Sequence, residues 1–224
     1  MSESNRNARG SGRLTAAKLR AAPRLSRAFF HRDAVTVARE LLGKLLIRRE
    51  GRSLLAGRVV EDEAYLGDQD PAAHAFAGRT ARNAVLFGPP GHAYVYFIYG
   101  NHYCLNVSCK PEGCGVLFRA MEPVFGLAAM SLARDLTLPP APRPAQLRLI
   151  SSGPGRMAGA LGITRLRDND KDFTSAKSDL WFADDGFRPE RIVATPRIGI
   201  TKAVERPLRF VIAGNPFVSG KRPA

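Results

Sequence analysis

The sequence predicts an α+β fold, namely a single domain built on a curved, mainly antiparallel sheet with flanking helices and a protruding β-hairpin. The chain has 224 residues, of which 45% are hydrophobic and 24% charged, so it is long enough to bury one core. Strand-like segments outnumber helical ones. The two kinds do not alternate regularly and no internal repeat appears, which argues against a parallel β-α-β arrangement.

The N-terminal segment differs in composition from the rest of the chain. Residues 1–28 carry seven basic side chains, Arg6, Arg9, Arg13, Lys18, Arg20, Arg24 and Arg27, against the single acid Glu3. Such a composition predicts a mobile basic arm that holds DNA or resembles a transit peptide. The globular domain is then expected at residues 29–219, with a short tail at 220–224.

The first elements of the domain follow from local signals. Asp33 is suited to cap a helix in which Val37 and Leu41 recur at helical spacing, and Gly43 suits the end of that helix. Residues 44–49 and 54–65 alternate as strands. A period of two places Val59, Glu61, Glu63 and Tyr65 on one face of the second strand, with Val60, Asp62 and Ala64 on the other.

The remainder of the chain is mostly strand and loop. Residues 67–83 are predicted to form an ordered loop. Further strands are predicted at 93–98, 103–108, 116–120, 180–183, 191–194, 198–200 and 208–212, and helices at 125–132 and 156–161. The segment 151–155 is interpreted either as an ordinary helix cap or as a phosphate-binding turn.

The Gly100-Asn101 pair predicts a two-residue hairpin turn. Tyr96 and Tyr99 have opposite parity on this hairpin, so one can face a pocket while the other lies at the exposed tip. A large aromatic side chain at a tip is a poor choice for solubility. It is suited to insertion between nucleic-acid bases.

Charge and cysteine content narrow the function classes. Thirty-four basic residues against twenty acidic ones give a net charge of +14, which points to a polyanionic partner such as nucleic acid. No apolar run could span a bilayer and no secretory signal is evident, so the protein is expected in the cytoplasm or on the nucleoid. Three cysteines, Cys104, Cys109 and Cys114, are expected to be reduced thiols. Their spacing does not suit zinc, and neither a metal nor another cofactor is predicted.

Glu63 is the best candidate for a general base, because a carboxylate on a semi-buried strand among aromatic residues can be aimed at a water molecule. The alternative is a structural ion pair, for instance with Arg119. Glu61 lies one strand repeat away, so a two-carboxylate glycoside hydrolase is a second possibility, although such enzymes are not usually this basic. His74, Tyr65 and Tyr96 could hold a flat heterocycle, or each could be a packing residue.

Several blocks of sequence together carry a resemblance. They are residues 60–67 (Val-Glu-Asp-Glu-Ala-Tyr-Leu-Gly), His74, 82–83, 90–91, 94–100, Asn106, 116–123, 152–155, 197–200, 207–210 and 214–217. In order and spacing these blocks closely resemble the alkyladenine, or 3-methyladenine, DNA glycosylase family over residues 28–219. The resemblance implies an enzyme that flips alkylated or deaminated purines, including 3-methyladenine and hypoxanthine, out of double-stranded DNA and hydrolyses the N-glycosidic bond, which starts base excision repair. No well-placed lysine nucleophile appears in the matching positions, so we predict a monofunctional enzyme that leaves an abasic site without nicking the strand. We also expect a monomer.

The resemblance also implies a role for each matching residue. Glu63 would activate the attacking water and Arg119 would help to hold that water. Tyr65 and His74 would line one side of the base pocket, with Tyr96 stacked on the opposite side. Asn106 would act as a steric gate against normal purines. Tyr99 would act as a wedge that fills the space left in the duplex by the flipped nucleotide.

Three positions depart from the vertebrate members of the family. Asn101-His102 replaces more apolar residues and Leu86 replaces methionine, so the contacts of the wedge are expected to differ. Two rival functions remain at this stage. One is a nucleic-acid-binding module without catalysis, in which Glu63 and Arg119 form a structural pair. The other is a helix-hairpin-helix glycosylase, suggested by Gly153-Pro154-Gly155 but lacking that fold's helical pattern.

Overall fold

The computed structural model describes residues 14–98 and 100–220, and its centre is an eight-stranded sheet. The strands are β1 (Leu45–Glu50), β2 (Ser53–Leu66), β3 (Ala93–Ile98), β4 (His102–Ser108), β5 (Cys114–Phe125), β6 (Leu180–Ala183), β7 (Ile192–Thr195) and β8 (Arg209–Ile212). All of the strand pairs are antiparallel. The predicted α+β fold with an antiparallel sheet is therefore confirmed, and this sheet does not fit the helical rival.

Strand β2 is the centre of the sheet, whose order is β3-β4-β5-β2-β1-β6. Along one edge β2 pairs first with β1 and then, at Glu61 to Glu63, with β8. Along the other edge it pairs with β5, and the register shifts near Val59 and Glu61. Such β-bulges bend a strand and re-aim its side chains, and they are common beside active sites.

Short helices cover the sheet. They are α1 (Ala16–Ala21), α2 (Arg27–Phe30), α3 (Ala34–Leu41), α4 (Leu127–Leu132), α5 (Pro144–Ser151), α6 (Pro154–Ala160) and α7 (Arg165–Asp168). The predicted cap of α3 is confirmed, because the Asp33 carboxylate accepts a hydrogen bond from the Thr36 N–H at 2.9 Å. Val37 and Leu41 of α3 are fully buried against the sheet.

The alternation of apolar residues in β1 divides the core between the two faces of the sheet. Leu46 belongs to the main cluster, which also contains Phe118 and Phe182. Leu45 and Ile47 point the other way, into a smaller cluster. Both faces of β1 are therefore covered where the strand begins, which explains why Leu45, Leu46 and Ile47 are apolar in succession.

The prediction of a mobile arm through residue 28 is wrong for residues 14–28. The Thr15 hydroxyl accepts a hydrogen bond from the Lys18 N–H at 3.2 Å and caps α1. Leu19 is fully buried in the smaller cluster, beside Trp181, and Arg24 stacks on that indole at 4.1 Å. A few apolar anchors thus order a segment whose average composition is polar. Residues 1–13 and 221–224 lie outside the described residues.

Two other local predictions also need correction. Ile98 pairs with His102, so three residues instead of two separate the paired strand ends. Residues 198–200 form a bend instead of a strand. Within residues 14–98 and 100–220, no helix is long and apolar enough to cross a membrane.

Candidate active site

A cavity of about 710 Å³ opens on one face of the sheet. Alternate residues of three neighbouring strands form its floor: Tyr94, Tyr96 and Ile98 of β3, His102, Cys104 and Asn106 of β4, and Gly115, Leu117 and Arg119 of β5. Glu63 of β2 pairs with Leu117 of β5. Leu117 in turn pairs with Asn106 of β4, which pairs with Tyr94 of β3. The period of two therefore gathers these side chains on one side of the sheet.

Glu63 lies behind the cavity wall and is fully buried. Its Oε2 accepts a hydrogen bond from the Tyr65 hydroxyl at 2.9 Å, and its Oε1 accepts one from the Ile198 N–H at 2.8 Å. Arg119 Nη1 lies 3.2 Å from the same Oε1. All three partners line the cavity. Burial raises the pKa of Glu63, and Arg119 together with the two hydrogen bonds offsets part of this rise.

Arg119 joins Glu63 to Glu61. Its Nε donates to Glu61 Oε1 at 2.9 Å, while Nη1 faces Glu63. Glu61 also accepts hydrogen bonds from Arg209 Nε and from the hydroxyl and N–H of Ser219, and it is fully buried. Its oxygens are thus occupied by protein donors. The two-carboxylate glycosidase arrangement is therefore not supported, since Glu61 is not presented to a ligand.

Aromatic side chains surround the cavity beside Glu63. His74 Nδ1 lies 2.9 Å from the Tyr94 hydroxyl, and the ring of His74 meets Tyr96 edge to face with centroids 4.5 Å apart. His74 and Tyr96 are therefore in contact. Partial burial and the nearby Arg82 lower the pKa of His74, so its ring is neutral at pH 7.

Asn106 is the remaining predicted pocket residue. It is 7% exposed, and its Nδ2 donates to the Tyr94 carbonyl at 3.0 Å, which fixes the amide at the cavity floor. The buried thiol of Cys104 lines the cavity nearby. Burial raises the pKa of Cys104, so this thiol is uncharged at pH 7.

Sequence reasoning missed several residues of the site. Tyr94 has the same strand parity as Tyr96, which was a usable signal. The peptide of Ile198 contacts both charged groups, because its N–H binds Glu63 and its carbonyl lies 3.4 Å from Arg119 Nη1. Lys202, which lies outside the matching blocks of sequence, also lines the cavity, and its side chain is exposed.

The hairpin at the cavity rim is described except for Tyr99, which lies outside the described residues. Of the positions that depart from the vertebrate pattern, Leu86 and His102 both line the cavity. His102 packs closely on Gly155, where a Cβ atom would lie 2.7 Å from the imidazole Cγ. Glycine is therefore required at 155 while His102 keeps this position.

Among the described residues, no three His, Cys, Asp or Glu side chains come together in a group able to hold a metal ion.

Comparison with known proteins gives a consistent match over the whole domain. Residues 28–216 match the family model described as methylpurine-DNA glycosylase. A protein of Koribacter versatilis (strain Ellin345) is 64% identical over 200 residues, which cover 88% of this chain and 94% of the relative.

Two further relatives match over a similar range. The protein of Burkholderia cenocepacia (strain HI2424) is 47% identical over 88% of this chain and 91% of its own length. That of Methanoculleus marisnigri (strain ATCC 35101 / DSM 1498 / JR1) is 48% identical over 87% of this chain and 98% of its own length. All three relatives are provisionally named as 3-methyladenine DNA glycosylases.

Proposed function

Because the chain belongs to the methylpurine-DNA glycosylase family, we propose that it flips 3-methyladenine, hypoxanthine and related damaged purines out of double-stranded DNA and hydrolyses their N-glycosidic bonds. One observation carries the proposal. The Glu63 carboxylate is held at the wall of an aromatic cavity by three groups that themselves line that cavity, namely Tyr65, Arg119 and the Ile198 peptide.

Glu63 acts as the general base. Cleavage of the N-glycosidic bond develops positive charge on the sugar, which a nearby carboxylate stabilises while it accepts a proton from the attacking water. Burial raises the pKa of Glu63, which makes it a stronger base than an exposed glutamate, and Arg119 together with the two hydrogen bonds offsets part of this rise. The Ile198 carbonyl and Arg119 offer further hydrogen-bonding groups to that water.

The cavity selects the base. Its volume of about 710 Å³ exceeds what a purine needs, so aromatic faces must define the slot within it. We place the base between Tyr65 and Tyr96, with His74 at its edge, since His74 and Tyr96 are already in contact. Aromatic faces attract a cationic base such as an alkylated purine nucleotide, and a neutral His74 does not repel it. We assign to Asn106, fixed at the floor by its bond to the Tyr94 carbonyl, the role of a steric gate against normal purines.

The hairpin and the charge of the protein act on the duplex. We assign the insertion that replaces the flipped nucleotide to Tyr99, which follows the cavity-lining residue Ile98 in the sequence. The net charge of +14 supplies non-specific attraction to phosphates. We further propose that the protein acts as a monomer and, because its substrate is the chromosome, that it is found on the nucleoid.

The enzyme is proposed to be monofunctional despite Lys202. The Lys202 side chain is exposed, whereas catalytic lysines are desolvated. Borohydride should therefore trap no covalent complex between the protein and damaged DNA. A trapped complex that disappears with Lys202→Ala would contradict this assignment.

The proposal is tested on duplex oligonucleotides that carry one hypoxanthine and on methylated DNA, with abasic sites revealed by alkali. The wild-type protein should generate breaks, and Glu63→Gln should generate none above background. Glu112→Gln is the matched control, because its side chain is exposed at 59% and lies in the β4–β5 turn. DNA binding without breaks by the wild type would favour a binding module, and full activity of Glu63→Gln would remove the assigned base.

A further inference from the structure

A buried ion pair connects two walls of the cavity. Asp70 lies in the loop after β2 that continues to His74, and Arg197 lies in the loop between β7 and β8 that continues to Ile198. Both side chains are 0% exposed, and they meet as a two-pronged pair in which Arg197 Nη2 donates to Asp70 Oδ1 at 2.8 Å and Nη1 donates to Oδ2. The pair therefore joins segments that are 127 residues apart in the sequence.

The same two side chains hold the residues that contact Glu63. The Arg197 guanidinium stacks over the Tyr65 ring at 4.6 Å, and its Nη1 donates to the Ala64 carbonyl at 3.1 Å. Asp70 accepts hydrogen bonds from the Leu66 N–H at 3.3 Å and the Ala72 N–H at 3.2 Å. Arg197 is also covalently adjacent to Ile198. Tyr65 and Ile198, the two hydrogen-bond donors to Glu63, are thus both fixed by one pair.

Stability alone does not account for this arrangement. Removing two charges from water costs about as much as the pair regains, so a buried ion pair is weak evidence for stabilisation. Its rigid, planar and two-pronged geometry does define where each partner lies. This property is useful where a phenol hydroxyl and a peptide N–H must be held against a general base.

We propose that Asp70 and Arg197 are a positioning pair that holds Tyr65 and the Ile198 peptide against Glu63, so that the base keeps the orientation required for excision. This role rests on the proposed function. Because neither side chain lines the cavity among the described residues, loss of the pair should lower the chemical rate without a matching loss of DNA affinity. A displacement of a catalytic group by about 1 Å can slow a reaction by roughly 100-fold, so we expect the excision rate to fall by about 10- to 100-fold.

The experiment compares two charge-balanced double variants. Asp70→Asn/Arg197→Gln replaces the pair by two amides, which leaves no unpaired buried charge and favours folding. The matched control is Asp168→Asn/Arg48→Gln, at a second ion pair whose side chains are also 0% exposed and which lies outside the cavity-lining set. Arg197→Lys is included because it keeps the charge and loses the planar stack on Tyr65.

Single-turnover excision, affinity for duplex DNA with an uncleavable abasic analogue, Tm and the pH profile are measured on each variant. The Asp70 double variant should lose about 10- to 100-fold in rate with affinity within about twofold, and Arg197→Lys should fall between it and the wild type. In the Asp70→Asn/Arg197→Gln variant the acidic limb of the pH–rate profile should also move to higher pH. The reason is that the weakened hydrogen bond from Tyr65 no longer favours the charged form of Glu63.

Each contrary result has a distinct meaning. An unchanged rate, or a loss equal to that of the Asp168 control at the same Tm, would overturn the positioning role while excision by the wild type stands. A rate loss with an unmoved acidic limb would overturn it too. Failure of the wild type to excise any damaged base would overturn the proposed function first, and the positioning role with it.

Discussion

Asp62 should lower the stability of the protein at neutral pH, and its replacement by asparagine should raise it. The side chain is fully buried, and neither carboxylate oxygen has a hydrogen-bond partner among the described residues. Its cross-strand neighbours are Phe118 on β5 and Phe210 on β8, both buried. Burial, followed by the charges of Glu61 and Glu63, raises the pKa of Asp62 well above the ordinary value.

The sign of the effect follows from proton linkage. Because the pKa is raised in the folded state, native Asp62 retains a proton that the unfolded chain releases near pH 4. Its favourable contribution is complete below that pH and is lost as the pH rises towards the folded-state pKa. Each unit by which the folded-state pKa exceeds the unfolded-state value costs about 1.4 kcal/mol once the pH is above both, and a neutral asparagine does not carry this cost. Asp62→Asn should therefore add about 1–3 kcal/mol at pH 8 and less at pH 5.

Calorimetric unfolding at pH 5 and pH 8 measures this difference. At about 2–4 °C per kcal/mol for a domain of this size, the Tm of Asp62→Asn should exceed that of the wild type by roughly 2–12 °C at pH 8. Asp168→Asn is the control with the opposite sign, because Asp168 is equally buried but paired with Arg48 and Lys171. A lower Tm for Asp62→Asn at pH 8, or an equal gain at both pH values, would refute the reasoning.

Three further predictions concern the site and the core. The excision rate of the wild type should fall in acid with a midpoint above the ordinary glutamate pKa of about 4.3, as Glu63 becomes protonated, and a midpoint at or below that value would contradict its burial. Tyr65→Phe removes a hydrogen bond that favours the charged form of Glu63, so this midpoint should move to still higher pH; a pH–rate profile that superimposes on the wild type would exclude the link. Leu19→Ala should lower the free energy of unfolding by about 2–5 kcal/mol in urea titrations, whereas a change under about 0.5 kcal/mol would mean that α1 is not docked in solution.

The predictable part of the fold was the part governed by local periodicity. Alternation along β2 and β3 placed Glu63, Tyr65 and Tyr96 on strands, and the Asp33 cap marked the start of α3. The failures came where a few residues outweigh an average or where distant segments meet. Leu19 orders a basic segment that composition describes as mobile. The pairing of Asp70 with Arg197 spans 127 residues, and no period or spacing encodes such a contact.

Three consecutive acidic residues on β2 have three different environments. Glu61 and Glu63 lie on the same face of the strand and both contact Arg119. Glu61 also accepts hydrogen bonds from Arg209 and Ser219, so protein donors occupy its oxygens. Asp62 points to the opposite face and receives no donor among the described residues. Glu63 lies between these extremes: its partners are those that line the cavity. A donor that faces a ligand site can exchange its bond with an incoming water, whereas a donor in the core cannot. The environment of each carboxylate, more than its place in the sequence, therefore assigns the chemistry to Glu63.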